Sequence, residues 1–113
     1  MRTLVIALLL TLTGAALQAA EIRAVLSWTD NSSDETGFRV ERNEAAAGYL
    51  PLVTLAPDVE SFVDVPLAPL TDYCYRVVAE RAAGDLTSGE VCGTSPSNAM
   101  PPGQLNLIIS MVP

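Results

Sequence analysis

Short segments in which apolar and polar residues alternate make up the middle of the chain. Residues 22–28 place Ile22, Ala24, Leu26 and Trp28 on one face and more polar positions on the other. Because side chains of a strand point alternately to its two faces, this pattern predicts a half-buried β-strand. No part of this middle region shows the longer period of an amphipathic helix.

Five further strands are predicted after the first. They are residues 38–42, 49–55, 61–64, 73–80 and 86–94. The fourth of these alternates most cleanly, since Tyr73, Tyr75, Val77 and Ala79 share one face. A turn around Gly84 separates it from the last predicted strand. Short strands at regular spacing, with turn residues between them, are typical of an all-β sandwich or barrel.

The first residues of the chain have the three parts of a secretory signal. Arg2 gives a short positive start, residues 4–12 form an apolar run, and small residues lead up to Ala19 and Ala20. We therefore expect residues 1–20 to be a signal peptide that is removed on export. The alternative is an uncleaved anchor helix, but the run is short for a membrane span.

The remainder divides into a domain and a tail. Residues 21–95 hold the predicted strands and are expected to form one small domain. Residues 96–103 are rich in proline and predict a linker. Residues 104–113 are apolar and β-prone, and their alternation predicts an interaction strand that presents Leu105, Leu107, Ile109 and Met111.

The charge balance excludes several partners. After signal cleavage the chain keeps five of its six arginines, no lysine and thirteen acidic residues, a net charge of −8. Nucleic acid and anionic membrane surfaces attract basic clusters, so neither is an expected partner. Arg39 and Arg76 alternate out of the predicted core, and we expect surface ion pairs with Glu41, Glu80 or Glu90.

Two cysteines, Cys74 and Cys92, are the only ones in the chain. An exported protein with an even cysteine count usually oxidises them, so a disulfide is expected. A directly opposed pair would centre the intervening turn on residue 83, beside Gly84, which suits a hairpin turn. A metal pair or a catalytic thiol is a weaker alternative, because the chain has no histidine to complete such a site.

Several of these segments together resemble a fibronectin type III domain. Residues 26–28 (LSW) resemble the tryptophan strand of that family, and residues 67–73 (LAPLTDY) its Leu-x-Pro-x-x-x-Tyr corner. Residues 73–79 continue as the sixth strand of the family does, residues 37–42 fit its third strand, and residues 61–64 its fifth. The corner is the most specific part of the resemblance.

The resemblance, which spans about residues 24–94, implies an immunoglobulin-like sandwich of two antiparallel sheets. Together with the alternation it predicts a structural core of Trp28, Leu67, Pro69, Tyr73, Tyr75 and Val77. Trp28 would fill the gap between sheets roughly 10 Å apart. The Tyr73 hydroxyl would bond back to backbone a few residues upstream, and Pro69 would stiffen the crossing between sheets.

The chain departs from the family at its start. Too few residues remain before Trp28 for both a first strand and its lead-in, so the first strand is expected to be missing. The tryptophan strand would then have an open edge. Residues 104–112 are long enough to cover it, either in the same chain or by strand addition to a neighbouring subunit. The alternative is a frayed tail.

No set of residues points to catalysis. The absence of histidine removes the usual general base and the commonest metal ligand. Residues 30–36, which precede Gly37, are predicted to form a polar loop. The alternation of Asp30, Ser32 and Asp34 there resembles a calcium loop only faintly, since the later bidentate glutamate is absent. We therefore expect no enzyme activity, no metal and no cofactor.

The resemblance implies an exported binding module that acts through protein–protein contacts, in a secreted or periplasmic location. Its partner, which sequence does not identify, would be another protein or a second copy of the chain. Two alternatives remain open. One is a structural subunit that assembles through strand addition of the C-terminal segment, and the other is a small secreted inhibitor that uses the turn at residues 82–85.

Overall fold

A computed structural model describes residues 21–31, 33–99 and 103–110. The predicted signal and Met111 lie outside the described residues. This part of the chain is all-β, with eight strands and no helix. The strands are β1 (Arg23–Trp28), β2 (Glu35–Glu44), β3 (Tyr49–Leu55), β4 (Ser61–Asp64), β5 (Asp72–Arg81), β6 (Leu86–Thr87), β7 (Val91–Thr94) and β8 (Gln104–Ile109).

The strands form two sheets. The three-stranded sheet has the order β4-β1-β8, and the five-stranded sheet has the order β3-β2-β5, with β6 and β7 both pairing with β5. Every pairing is antiparallel except that of β8, which runs parallel to β1. Along the chain, β1, β4 and β8 belong to the three-stranded sheet, and the strands between them belong to the five-stranded sheet.

One core lies between the sheets. The predicted alternation is confirmed in β1 and β5, whose inward side chains are almost fully buried. The Trp28 ring from the three-stranded sheet packs against the Phe38 ring of the other, with 5.9 Å between their centroids. Leu26, Val40 and Tyr75 complete the centre of this core. Burial of such apolar surface supplies the main driving force for folding.

The predicted tyrosine corner is present. The Tyr73 hydroxyl accepts a hydrogen bond of 2.8 Å from the Ala68 backbone N–H, five residues upstream. The buried Ser95 hydroxyl donates to the Ala68 carbonyl at 2.5 Å and closes the same loop. Leu67 is buried, as expected, whereas Pro69 is exposed and does not belong to the core.

Two predicted boundaries were wrong. The polar stretch over residues 30–36 was expected to be a loop throughout, but β2 already begins at Glu35, because pairing with β5 continues past Gly37 to Arg81. The single strand expected over residues 86–94 is divided into β6 and β7. At the division the Val77 N–H donates to the buried Ser88 hydroxyl at 2.8 Å and not to a backbone carbonyl, while the Ser88 N–H still donates to the Val77 carbonyl at 2.8 Å.

The C-terminal strand covers the edge of β1 within the same chain. Arg23 N–H donates to the Gly103 carbonyl at 3.1 Å, and the pairing continues to the end of both strands. Leu105 and Leu107 pack against the core, and Ile109 is only 2% exposed. Gly93 of β7 faces the Leu105 side chain so closely that a Cβ there would lie 3.4 Å from it. The segment is therefore part of the fold and not a frayed tail.

The two cysteines form the expected disulfide. Cys74 of β5 and Cys92 of β7 are directly opposed in the ladder, with 4.1 Å between their Cα atoms. The bridge closes a loop with a sequence separation of 18 residues. A loop of that length corresponds to about 3 kcal/mol of stabilisation through the unfolded state.

Candidate functional site

The outer face of the five-stranded sheet, which points away from the core, carries a row of ion pairs. The Glu41 carboxylate accepts from Arg39 Nε at 2.9 Å and from Arg76 Nε at 2.6 Å. Arg39 also binds Glu80 at 2.5 Å. Burial alone would raise the pKa of Glu41, but the two arginine hydrogen bonds outweigh it and lower that pKa. The predicted surface pairs of Arg39 and Arg76 are therefore confirmed.

The row ends beside the disulfide. The Arg76 guanidinium lies over the Tyr49 ring, 4.0 Å from its centroid, in a cation–π contact. The Tyr49 hydroxyl donates to Glu90, which was expected to pair with an arginine. Burial, and then this carboxylate, raise the pKa of Tyr49. The charges of this face thus bind one another.

The outer face of the three-stranded sheet carries mainly apolar and uncharged polar side chains. Two rows of side chains cross it from β4 through β1 to β8. These are Ser61, Ser27 and Ile108 in one row and Val63, Val25 and Asn106 in the next. Val63 is 42% exposed and Ile108 is 77% exposed. Within the strands described here, the one charged side chain on this face is Arg23. An exposed, weakly charged surface with apolar residues is typical of a protein contact site.

A buried polar network joins the sheets. Asp64, on the inner face of β4, is 5% exposed. It accepts two hydrogen bonds from Arg42, at 2.9 and 3.1 Å, and one from the Tyr75 hydroxyl at 2.7 Å. Burial, together with this hydrogen bond, raises the pKa of Tyr75. Since the carboxylate is held by both partners inside the core, the network is a structural tie between the sheets.

An open groove of about 440 Å³ lies beside this network, on the inner side of β3. Its walls combine Arg42 and Glu44 with the apolar Leu50 and Leu52. Leu50 is 70% exposed, so this wall of the groove is open to solvent. It contains no set of groups that could act together as acid, base and nucleophile.

The acidic loop, whose alternation resembled a calcium loop only faintly, is described apart from Ser32. Asp34, in the acidic loop, is 3.3 Å from Arg81, and of the described residues no three acidic side chains converge there. The one cluster of metal-ligating residue types in the described ranges is Cys74, Glu90 and Cys92. Its two sulfur atoms are joined to each other, so neither is the thiolate that binds metals.

Sequence reasoning located the core and the C-terminal strand but missed the Asp64 network and the contrast between the outer faces. Asp64 occupies an inward position of a predicted strand, and an acid at such a position signals a buried partner. The outer face of the three-stranded sheet could not be assembled from sequence, because it combines β4, β1 and β8 through a pairing that the pattern left open.

Comparison of the chain with protein-family models, with curated proteins and with solved structures finds no match. In the described part of the chain, no helix is long and apolar enough to cross a membrane.

Proposed function

We propose that this protein is an exported, non-catalytic binding module that acts through protein–protein contacts made by the outer face of its three-stranded sheet. The observation that carries the proposal is the contrast between the two outer faces. On an acidic chain, one face is filled with paired charges, and the other offers valine, isoleucine, serine and amide side chains. Contact surfaces are depleted of charge at their centre in this way.

The proposed fold is an immunoglobulin-like sandwich of the fibronectin type III kind, in whose described residues no antiparallel first strand pairs with β1. The contact of Trp28 with the opposite sheet and the Tyr73 corner support it. The parallel strand β8, which lies where an antiparallel first strand would be expected, is a departure from that fold.

Export to a secreted or periplasmic location is part of the proposal. It is supported by the signal-like start of the sequence and by the disulfide between Cys74 and Cys92, since such bonds persist in oxidising compartments. The absence of catalysis is proposed because Asp64, the most buried acid, is bound on both sides by structural partners.

A capture experiment tests the contact face. Oxidised protein comprising residues 21–113 is immobilised and exposed to the extracytoplasmic fraction of its own cells. Val63→Arg adds a charge to the proposed face, whereas Thr54→Arg adds the same charge to the exposed outer face of β3. We expect the unmodified protein and Thr54→Arg to retain the same stoichiometric partner and Val63→Arg to lose it. Equal capture by both variants, or no partner at all, would contradict the proposal.

A further inference from the structure

We propose that two copies of this chain pair through the free edges of their β8 strands, antiparallel about a two-fold axis. Such pairing would join two three-stranded sheets into one continuous sheet of six strands. Each β8 would stay with β1 of its own chain, so this dimer differs from strand donation. The inference goes beyond the proposed function, because it concerns the edge of the sheet and a second copy of the chain.

In the described residues, β8 lacks over its whole length the protective features of the other sheet edges, and only beyond its end does the Ser110 carbonyl accept a hydrogen bond from the Gly89 N–H, at 3.2 Å. β3 contains Pro51, and its pairing with β2 shifts at a bulge between Val40 and Glu41. β4 has only four residues, and the far edge of the five-stranded sheet is broken into β6 and β7. β8 has six residues, QLNLII, without proline, charge or a register shift. Proteins blunt exposed edges with the features that β8 does not have, because unprotected edges pair with other strands.

Charge also favours this edge as the place where two copies meet. The chain has a net charge of −7, so most approaches between copies bring carboxylates together. No charged residue follows Glu90 in the sequence, which leaves β7, β8 and the segment between them without charge. Two β8 edges can therefore approach without the like-charge repulsion that opposes other contacts.

The direction of the backbone groups fixes the register. Because the Gly103 carbonyl accepts from Arg23 N–H, the odd-numbered residues of β8 direct their backbone groups to β1. The backbone N–H and C=O groups of Gln104, Asn106 and Ile108 therefore point to the free edge. Within the described strands, no other strand pairs with that edge.

A two-fold axis beside Asn106 satisfies all three of these residues. Asn106 would lie opposite the partner's Asn106, and Gln104 opposite the partner's Ile108. In an antiparallel pair, each such residue pair exchanges both N–H···O bonds. The uncharged outer face of the three-stranded sheet would then continue across the axis from one copy to the other.

Sedimentation of the oxidised protein at increasing concentration tests the dimer. Asn106→Pro removes the edge N–H but none of the bonds to β1, and Asn106→Lys sets two like charges against each other at the axis. Ser27→Lys is the matched control, because it adds the same charge to the outer face on the central strand β1. We expect the unmodified protein and Ser27→Lys to dimerise between about 10 μM and 1 mM, as weak interfaces do. Both Asn106 variants should stay monomeric, with an unchanged circular dichroism signal from Trp28.

Amide hydrogen exchange locates the contact. On dimerisation, the amides of Gln104, Asn106 and Ile108 should exchange about tenfold more slowly, whereas those of Leu105 and Leu107 should not change. The inference is overturned if the protein is monomeric throughout, or if both Asn106 variants dimerise like the control. If the unmodified protein is monomeric but captures a partner that Val63→Arg loses, the dimer alone is overturned and the proposed function stands.

Discussion

The buried Asp64 carboxylate joins the two sheets through three hydrogen bonds. It binds Arg42 and Tyr75 of the five-stranded sheet from its place in the three-stranded one. Arg42 also approaches Glu44 at 3.7 Å and lies 5.8 Å from the centroid of the Tyr73 ring. A buried carboxylate with such partners fixes how the sheets align, because any slip would leave its charge without a partner.

Replacement of Asp64 by asparagine should destabilise the protein by about 2 kcal/mol, since hydrogen bonds to a charged group are lost and Arg42 remains partly buried. Glu44→Gln is the control, because it removes the more exposed and more distant carboxylate beside the same arginine. We expect that change to cost less than about 0.5 kcal/mol. Urea denaturation followed by Trp28 fluorescence measures the free energy of unfolding of both variants. Equal losses would show that Asp64 does not hold the two sheets together.

Within the strand β8, two neighbouring residues differ widely in burial. Ile109 is 2% exposed and faces the core, and Ile108 is 77% exposed and faces solvent. The two side chains have the same chemistry and lie on the same strand. The energetic contribution of β8 to the fold therefore comes from its inward side chains and from its backbone pairing with β1.

Ile109→Ala should lower the free energy of unfolding by about 3 kcal/mol, because it leaves a cavity in the core. Ile108→Ala should change it by less than about 0.5 kcal/mol, as exposed substitutions do. Denaturation of the monomer, at a concentration well below that of any self-association, compares the two. Similar values for both variants would mean that β8 does not dock in solution as it does in the structure.

The strands themselves were largely predictable, and the reason lies in side-chain alternation. β3 and β4 have the expected bounds, and Cys74 and Cys92 are directly opposed as expected, although the register with β5 shifts by one residue between β6 and β7. The pairing of β8 with the tryptophan strand was predicted, but not whether it occurs within one chain or between subunits, because side-chain alternation is the same in both cases. The division between β6 and β7 was missed for a similar reason, since it depends on a hydrogen bond from Val77 to Ser88.

Across the whole molecule, the three tyrosines lie in three different environments. Tyr49 lies on the outer face of the five-stranded sheet, Tyr73 at the corner and Tyr75 in the core between the sheets. In each case burial is the largest cause of a raised pKa, and a nearby carboxylate adds to the effect at all three. Ionisation of any of them is therefore coupled to loss of the fold.

The protein should lose stability at alkaline pH. A tyrosine whose pKa is higher in the folded state than in the unfolded state, where it is about 10, contributes stability below pH 10 that is lost as pH rises towards the folded value. We expect the absorbance of tyrosinate to stay low beyond pH 10 and then to rise in one step with unfolding, detected by Trp28 circular dichroism. In denaturant, the same tyrosines should titrate near pH 10. Independent titration of all three near that pH in the folded protein would contradict the pKa shifts.

The parallel pairing of β1 with β8 also ties the fold to the order in which the chain is made. β1 is the first described strand and β8 the last, so the three-stranded sheet joins residues from opposite ends of the described sequence. A chain that emerges from a ribosome or an export channel with its N-terminus leading has β1 outside long before its partner arrives. Folding of this sheet therefore waits until β8 has emerged, and until then the edge of β1 is open to any chaperone or strand that it meets.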